Sequence, residues 1–202
     1  MNYYKYTNEE IEYLKNRDPI LGTEIDKIGM IEREIEPDIF SALISSIISQ
    51  QISTKAAVTV KKRFVKLIGS ITQENIEKAD VKLMQECGMS FRKASYIKDI
   101  AKAAVNGIID FPNLKKLTDE EVIKELTQLK GVGVWTVEML LLHSLQRPNI
   151  LSYKDLGIRR GIIKLYELDG LTEKEFELYR DRYSPYCTVA SLYLWKISSV
   201  DY

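Results

Sequence analysis

Three times in this chain a threonine stands three residues ahead of a glutamate at the head of an apolar-periodic run: Thr7–Glu10, Thr118–Glu121 and Thr172–Glu175. There the hydroxyl and the carboxylate satisfy N–H groups that a helix start leaves open, so each pair marks a helix beginning. Glycines mark the stops. Gly69, Gly88, Gly107, Gly131 and Gly170 fall where helical patterns end, as left-handed C-terminal caps do, and Pro112 and Pro148 fall in connections. Between these signals the apolar residues recur at helical spacing. Phe40, Leu43, Ile44, Ile47 and Ile48 share one face, and Val122, Ile123, Leu126 and Leu129 share another. No segment alternates cleanly enough to require a strand. The pattern predicts an all-α fold, with helices near 8–16, 38–50, 53–67, 80–87, 90–106, 119–129, 134–145, 155–167, 172–182 and 186–198, and a short one over 23–33.

The length of 202 residues suits one domain or two small lobes sharing a cleft. No run approaches the roughly 18 apolar residues of a membrane span, and the polar, acidic segment Met1 to Arg17 shows no secretory signal. Two cysteines, Cys87 and Cys187, cannot supply the four thiolates of an iron–sulfur cluster or a Cys-only zinc site. They are expected as buried apolar thiols in a reducing compartment. The net charge of zero hides an asymmetry. Residues 1–40 carry five Lys/Arg against ten Asp/Glu, and the remainder carries 24 against 19. The basic excess gathers in Lys55–Lys66, Arg92–Lys98 and Arg159–Lys164. Such runs are usually solvated faces, but this asymmetry is compatible with an electrostatic footprint for a polyanion.

Chemistry concentrates in Leu129-Lys130-Gly131-Val132-Gly133-Val134-Trp135-Thr136, a Gly-x-Gly turn between two helical patterns. Such a turn offers bare backbone N–H groups to a phosphate at a helix N-terminus. Asp155 follows in a polar loop 24 residues after Gly131, at the head of the next helix. A helix dipole favours a negative group at that position, and an aspartate there is equally an ordinary N-cap.

These residues resemble a known family. Gly131-Val132-Gly133 with Trp135-Thr136, followed by Asp155-Leu156-Gly157-Ile158-Arg159-Arg160-Gly161, is similar to the helix–hairpin–helix DNA glycosylase superfamily, and within it to the 3-methyladenine DNA glycosylase II branch. Three further segments agree in order: Phe40 to Ser53, ending Ser49-Gln50-Gln51-Ile52-Ser53; Gly88-Met89-Ser90 with Lys93-Ala94; and Ser184-Pro185-Tyr186 with Ala190 and Leu194-Trp195. The resemblance covers roughly residues 19–198. It implies a single domain over 1–202 with two helical subdomains and a cleft between them, a hairpin near 119–145, a catalytic loop near 149–157, and no extra N-terminal β-domain.

It also implies roles. Asp155 is the expected catalytic carboxylate, stabilising positive charge on the sugar as the base leaves. Trp135, Trp195 and Met139 are the expected base pocket, where electron-rich indoles favour cationic purines; on composition alone, two tryptophans are as readily core. Gln51 holds the wedge position, and Lys130, Gly131, Gly133, Val134 and Thr136 are expected on the DNA backbone. The carbonyls of Thr127, Leu129 and Val132 are expected to hold a structural Na+ or K+, with no cofactor required. Bifunctional relatives carry a Schiff-base lysine two residues after the second hairpin glycine. This chain has Trp135 there, so a monofunctional enzyme is expected, with Lys130 and Lys154 the nearby amines. His143, the only histidine, is expected mid-helix in a structural role.

The chain departs from the family at Leu151-Ser152-Tyr153-Lys154, where relatives have a proline and a second acid, at Cys187, where many have an arginine, and at Met139, which is aromatic in a well-known bacterial relative. These leave the substrate range open. The expected reaction is release of alkylated purines from double-stranded DNA containing damaged bases, by a monomer that is cytoplasmic in a prokaryote or nuclear in a eukaryote. The alternatives are oxidised or deaminated bases as substrates, an inactive DNA-binding module, and a helical interaction protein.

Overall fold

The computed structural model describes residues 2–199. Its elements run β1 (Asn2–Tyr3), α1 (Asn8–Arg17), α2 (Pro19–Ile28), β2 (Glu34–Ile35), α3 (Ile39–Ser49), α4 (Thr54–Ile68), α5 (Gln73–Lys78), α6 (Val81–Glu86), α7 (Phe91–Val105), a 3-10 turn over Pro112–Lys116, α8 (Asp119–Leu126), α9 (Val134–His143), α10 (Leu156–Leu165), α11 (Glu173–Tyr183) and α12 (Cys187–Ser199). The fold is mostly helical, as expected. Among the described residues no helix is long and apolar enough to cross a membrane.

The helix starts follow local chemistry. All three threonine–glutamate pairs form reciprocal capping boxes. Gly69, Gly88, Gly107 and Gly131 have positive φ. Gly170 does not; after α10 the left-handed position falls instead on Glu167, at φ 53. The helix expected over 23–33 is corrected to α2. Asp18 and Pro19 form its N-cap and first position, an N-terminal signature that outranks the later apolar spacing. The structure adds α5 and the 3-10 turn, which are too short for periodicity to reveal. It also adds a ladder pairing Asn2 with Ile35 and Tyr3 with Glu34.

The chain forms two compact units, Met1–Ile35 with Leu141–Tyr202, and Glu36–Leu140. In the first, α10 packs along α12 and α1 along α2. Asp18, 2% exposed, is saturated by polar partners. Its Oδ1 accepts the Ile20 and Leu21 N–H groups at 3.1 Å each. Its Oδ2 accepts Arg182 at 2.8 Å and the Tyr166 hydroxyl. A buried carboxylate is tolerated only with such partners. In the second unit, α7 packs against α3, α5 and α6. Lys98 on α7 donates to the carbonyls of Ile76, Glu77 and Ala79, closing the C-terminus of α5.

Candidate functional site

In the first unit, Asp155 is the N-cap of α10. Its Oδ1 accepts the Ile158 N–H at 2.9 Å and the Trp195 Nε1–H at 2.9 Å. The N-cap is therefore a buried, 8%-exposed carboxylate that also holds the Trp195 indole. The loop leading to it is fastened to α12. Thr188 accepts the Ile150 N–H at 3.0 Å and donates to the Arg147 carbonyl at 2.6 Å, and Ser191 donates to the Ile150 carbonyl at 2.9 Å. Arg180 holds the Leu151 carbonyl at 2.8 Å. Tyr153 packs edge-on against Phe176 with ring centroids 5.3 Å apart. Packing thus anchors the stretch that leads into Asp155.

Trp195 reaches Asp155 because two glycines remove bulk from α10. A Cβ on Gly161 would lie 2.3 Å from the Leu194 carbonyl oxygen, and one on Gly157 would lie 2.8 Å from Trp195 Cδ1. The indole is contacted by the His143 ring, nearly parallel at 14° and 5.6 Å between centroids. The Arg33 guanidinium lies 5.4 Å from the indole centroid. His143 is the last residue of α9 rather than mid-helix. Burial, with a further push from Arg33, lowers its pKa to about 4 against the pull of Asp155, so the imidazole is neutral at neutral pH. Cys187 is a buried free thiol, and burial pushes its pKa up to about 12. That makes it inert as a nucleophile.

The second unit holds the hairpin and the Gln51 loop. Gly131 closes the turn at φ 86 with the Tyr96 ring against it, where a Cβ would lie 2.3 Å from Tyr96 Cδ2. Gly133 is not left-handed, and nothing lies within 4 Å of its Cβ position. The Val137 N–H bonds the Gly133 carbonyl at 3.2 Å, so α9 winds directly out of the turn. Gln51 is exposed with a left-handed backbone, φ 58, which is uncommon outside glycine. Ser46, Ser49, Gln50, Gln51 and Trp135 line a cavity of about 380 Å³.

The predicted residues fall out as follows. Asp155 and Trp195 are hydrogen-bonded. Gln51 and Trp135 share the cavity. Met139, half-buried, sits four residues after Trp135 on the same face of α9. Lys130 is exposed and Val134 half-buried at the turn, but Thr136 is only 4% exposed, so only its backbone amide suits a phosphate. The Leu129 carbonyl accepts the Val132 N–H at 3.1 Å. Sequence reasoning missed Arg33, Gln50, and the contacts of His143 and Lys93. The four-residue spacing of Gly157 and Gly161, which puts both on one helix face, was the one signal for the close α10–α12 approach.

The chain is similar to known proteins in sequence and in fold. Residues 44–185 match the family model described as HhH-GPD superfamily base excision DNA repair protein. The chain is 38% identical over 166 residues to DNA-3-methyladenine glycosylase 1 of Schizosaccharomyces pombe, covering 80% of this chain and 73% of that one. It superposes on a crystal structure of DNA-3-methyladenine glycosidase from Bacillus halodurans with a TM-score of 0.87 at 33% identity, covering 99% of this chain and 94% of the other. It also superposes on the Schizosaccharomyces pombe 3-methyladenine DNA glycosylase (Mag1) in complex with abasic DNA, with a TM-score of 0.84 at 34% identity, covering 95% and 97%.

Proposed function

Because this chain belongs to the HhH-GPD superfamily of base excision DNA repair proteins, we propose that it is a DNA N-glycosylase that releases alkylated purines of the 3-methyladenine and 7-methylguanine type from double-stranded DNA. The observation that carries this reading is the Asp155 carboxylate, held by the Ile158 N–H and the Trp195 indole N–H.

The target atoms are out of reach inside a duplex, so the damaged nucleotide leaves the stack before reaction. The bond between sugar C1′ and the purine nitrogen breaks, and the electron pair leaves with the base. Water adds at C1′ and loses a proton. An alkylated cationic purine departs neutral, so no strong general acid is needed. Asp155 stabilises the positive charge developing on the sugar and accepts the proton from water. Trp135, 38% exposed beside Met139 on α9, supplies an indole face that favours a cationic base by about 0.5–2 kcal/mol. Trp195 is a base-pocket residue by resemblance, and its indole N–H positions Asp155.

Gly131, Gly133, Lys130 and the amides of Val134 and Thr136 hold the phosphate backbone, and Gln51 fills the gap left by the extruded nucleotide. The carbonyls of Thr127, Leu129 and Val132 would hold a monovalent cation. The Leu129 oxygen accepts the Val132 N–H and keeps a second lone pair, which supports this reading.

The test is base release from duplex DNA containing 7-methylguanine, with strand scission scored before and after alkali. Release with scission only after alkali is expected, because Trp135 offers no amine for a Schiff base. Scission without alkali would point to Lys130 or Lys154 and overturn the monofunctional assignment. No release of alkylated purines, with release of oxidised or deaminated bases, would move the substrate class.

The hairpin assignment has its own test. Gly133→Ala meets open space and no backbone strain, so its stability should stay within about 0.5 kcal/mol of wild type. Its DNA affinity at fixed salt should fall about tenfold, because the added methyl stands between the turn and a phosphate. Gly131→Ala strains the left-handed backbone and strikes Tyr96, so it should lose stability as well. Unchanged DNA binding in Gly133→Ala would remove that residue from the interface.

A further inference from the structure

Lys93 stands three residues inside α7, whose N-cap is Ser90. A cation in the first turn of a helix opposes the helix dipole, so its placement asks for a reason elsewhere. That reason is the far end of α3. The Lys93 Nζ donates to the Ile48 carbonyl at 3.1 Å and to the Gln50 carbonyl. Those carbonyls belong to the C-terminus of α3, where a cation is favoured. The Gln50 N–H closes the helix onto the Ser46 and Ile47 carbonyls at 3.1 and 3.4 Å. The next residue is Gln51, in its left-handed conformation. A non-glycine backbone persists there only where its surroundings over-determine it.

The Gln50 side chain faces the other way. Its Nε2 donates to the Gly131 carbonyl at 3.1 Å, 81 residues along the chain. Tyr96, one turn beyond Lys93 on α7, has its ring against the same Gly131. One face of α7 therefore touches both the Gln51 loop and the hairpin turn, and Gln50 bridges the two.

We propose that Lys93 is a positioning residue for Gln51: it clamps the end of α3 while the Gln50 amide holds Gly131, so that the Gln51 loop and the hairpin turn move as one rigid surface. The consequence for DNA rests on the proposed reading that both segments grip it. Extrusion of a base needs the wedge to stay in register with the phosphate grip, and a loop free to rotate about Gln50 would lose that register.

The first test needs no substrate. Backbone amide exchange is measured in residues 50–53 and 129–133 of the full chain, for wild type, Lys93→Met, Lys93→Arg and Gln50→Leu. Lys93→Met is expected to speed exchange in both segments roughly tenfold, the size of one lost charge-assisted hydrogen bond. Gln50→Leu should do the same, Lys93→Arg should restore most of the protection, and exchange in α10 and α12 should not change. Unchanged exchange in either segment for both Lys93→Met and Gln50→Leu overturns the proposal, as does a rise that includes α10 and α12. Should Lys93→Met fail to fold, Gln50→Leu carries the same comparison.

The second test compares base release from a fully paired lesion and from one opposite an abasic site, where extrusion costs less. Lys93→Met should lose about tenfold on the paired substrate and stay within roughly twofold on the unpaired one, matching Gln51→Ala. If Gln51→Ala shows that split and Lys93→Met does not, the positioning role fails. If Gln51→Ala shows no split, the wedge assignment fails instead, and the exchange data judge the clamp on their own.

Discussion

Asp155→Asn is expected to lower release of 7-methylguanine from duplex DNA by at least about a hundredfold, with the melting temperature within about 2 °C of wild type. The two halves of this expectation come from different properties of one side chain. As an N-cap, asparagine is nearly equivalent to aspartate. Its Oδ1 can still accept the Ile158 N–H and the Trp195 indole N–H, each 2.9 Å away in the wild type. The start of α10 and its attachment to α12 should therefore survive. What disappears is the negative charge that meets the developing cation on the sugar, and an amide cannot accept the proton from water. DNA affinity should be similar or higher, because a negative group near the phosphates has gone. Single-turnover release, calorimetry and equilibrium binding separate the three quantities. Wild-type release by Asp155→Asn would end the proposed role, and a matched collapse of stability and release would reduce Asp155 to a cap.

Gly161→Ala should cost about 3 kcal/mol, seen as a fall in melting temperature of roughly 6–12 °C. The new Cβ would stand 2.3 Å from the Leu194 carbonyl oxygen, 2.8 Å from its carbon and 3.0 Å from its Cα. These are backbone atoms in the middle of α12 and cannot rotate aside. The two helices must move apart by about 1 Å, and close-packed interiors resist such a shift. The separation should also weaken the bond from Trp195 to Asp155, so the folded fraction should release base more slowly than wild type. Gly157→Ala offers the contrast. Its Cβ would meet Trp195 Cδ1 at 2.8 Å and Asp155 Oδ1 at 3.2 Å, both side-chain atoms that can yield. It should lose less stability than Gly161→Ala and proportionally more activity. Equal melting temperatures for Gly161→Ala and wild type would show that α10 and α12 are not held at this spacing in solution.

Much of this was legible because it is local. A threonine with a glutamate three residues on satisfies the N–H groups of its own helix start, and all three such boxes form. Glycine at the end of an apolar run reports a left-handed backbone, as at Gly69, Gly88, Gly107 and Gly131. Where two local signals compete, apolar spacing alone misplaces an element. Asp18-Pro19 starts α2 several residues before the apolar spacing suggested. The end of α10 puts its left-handed residue at Glu167, ahead of the glycine that could have taken it.

The helices, their caps and the place of Asp155 at a helix head are written in runs of four to fifteen residues, since the hydrogen bonds that specify them close within one or two turns. The partners of Asp155 are not written there. Trp195 lies 40 residues away, and it reaches the carboxylate because Gly157 and Gly161 let α10 settle onto α12. Gln50 meets Gly131 across 81 residues, and Lys93 meets the end of α3 across 43 and 45. Such meetings depend on side-chain volume and the approach of whole helices, which no local pattern encodes. The amino-acid sequence determined most of the helical elements and the acid that carries the proposed chemistry; tertiary packing decided which groups hold that acid, and which lysine meets the end of α3 beside the left-handed loop, because only packing brings distant residues within hydrogen-bond reach.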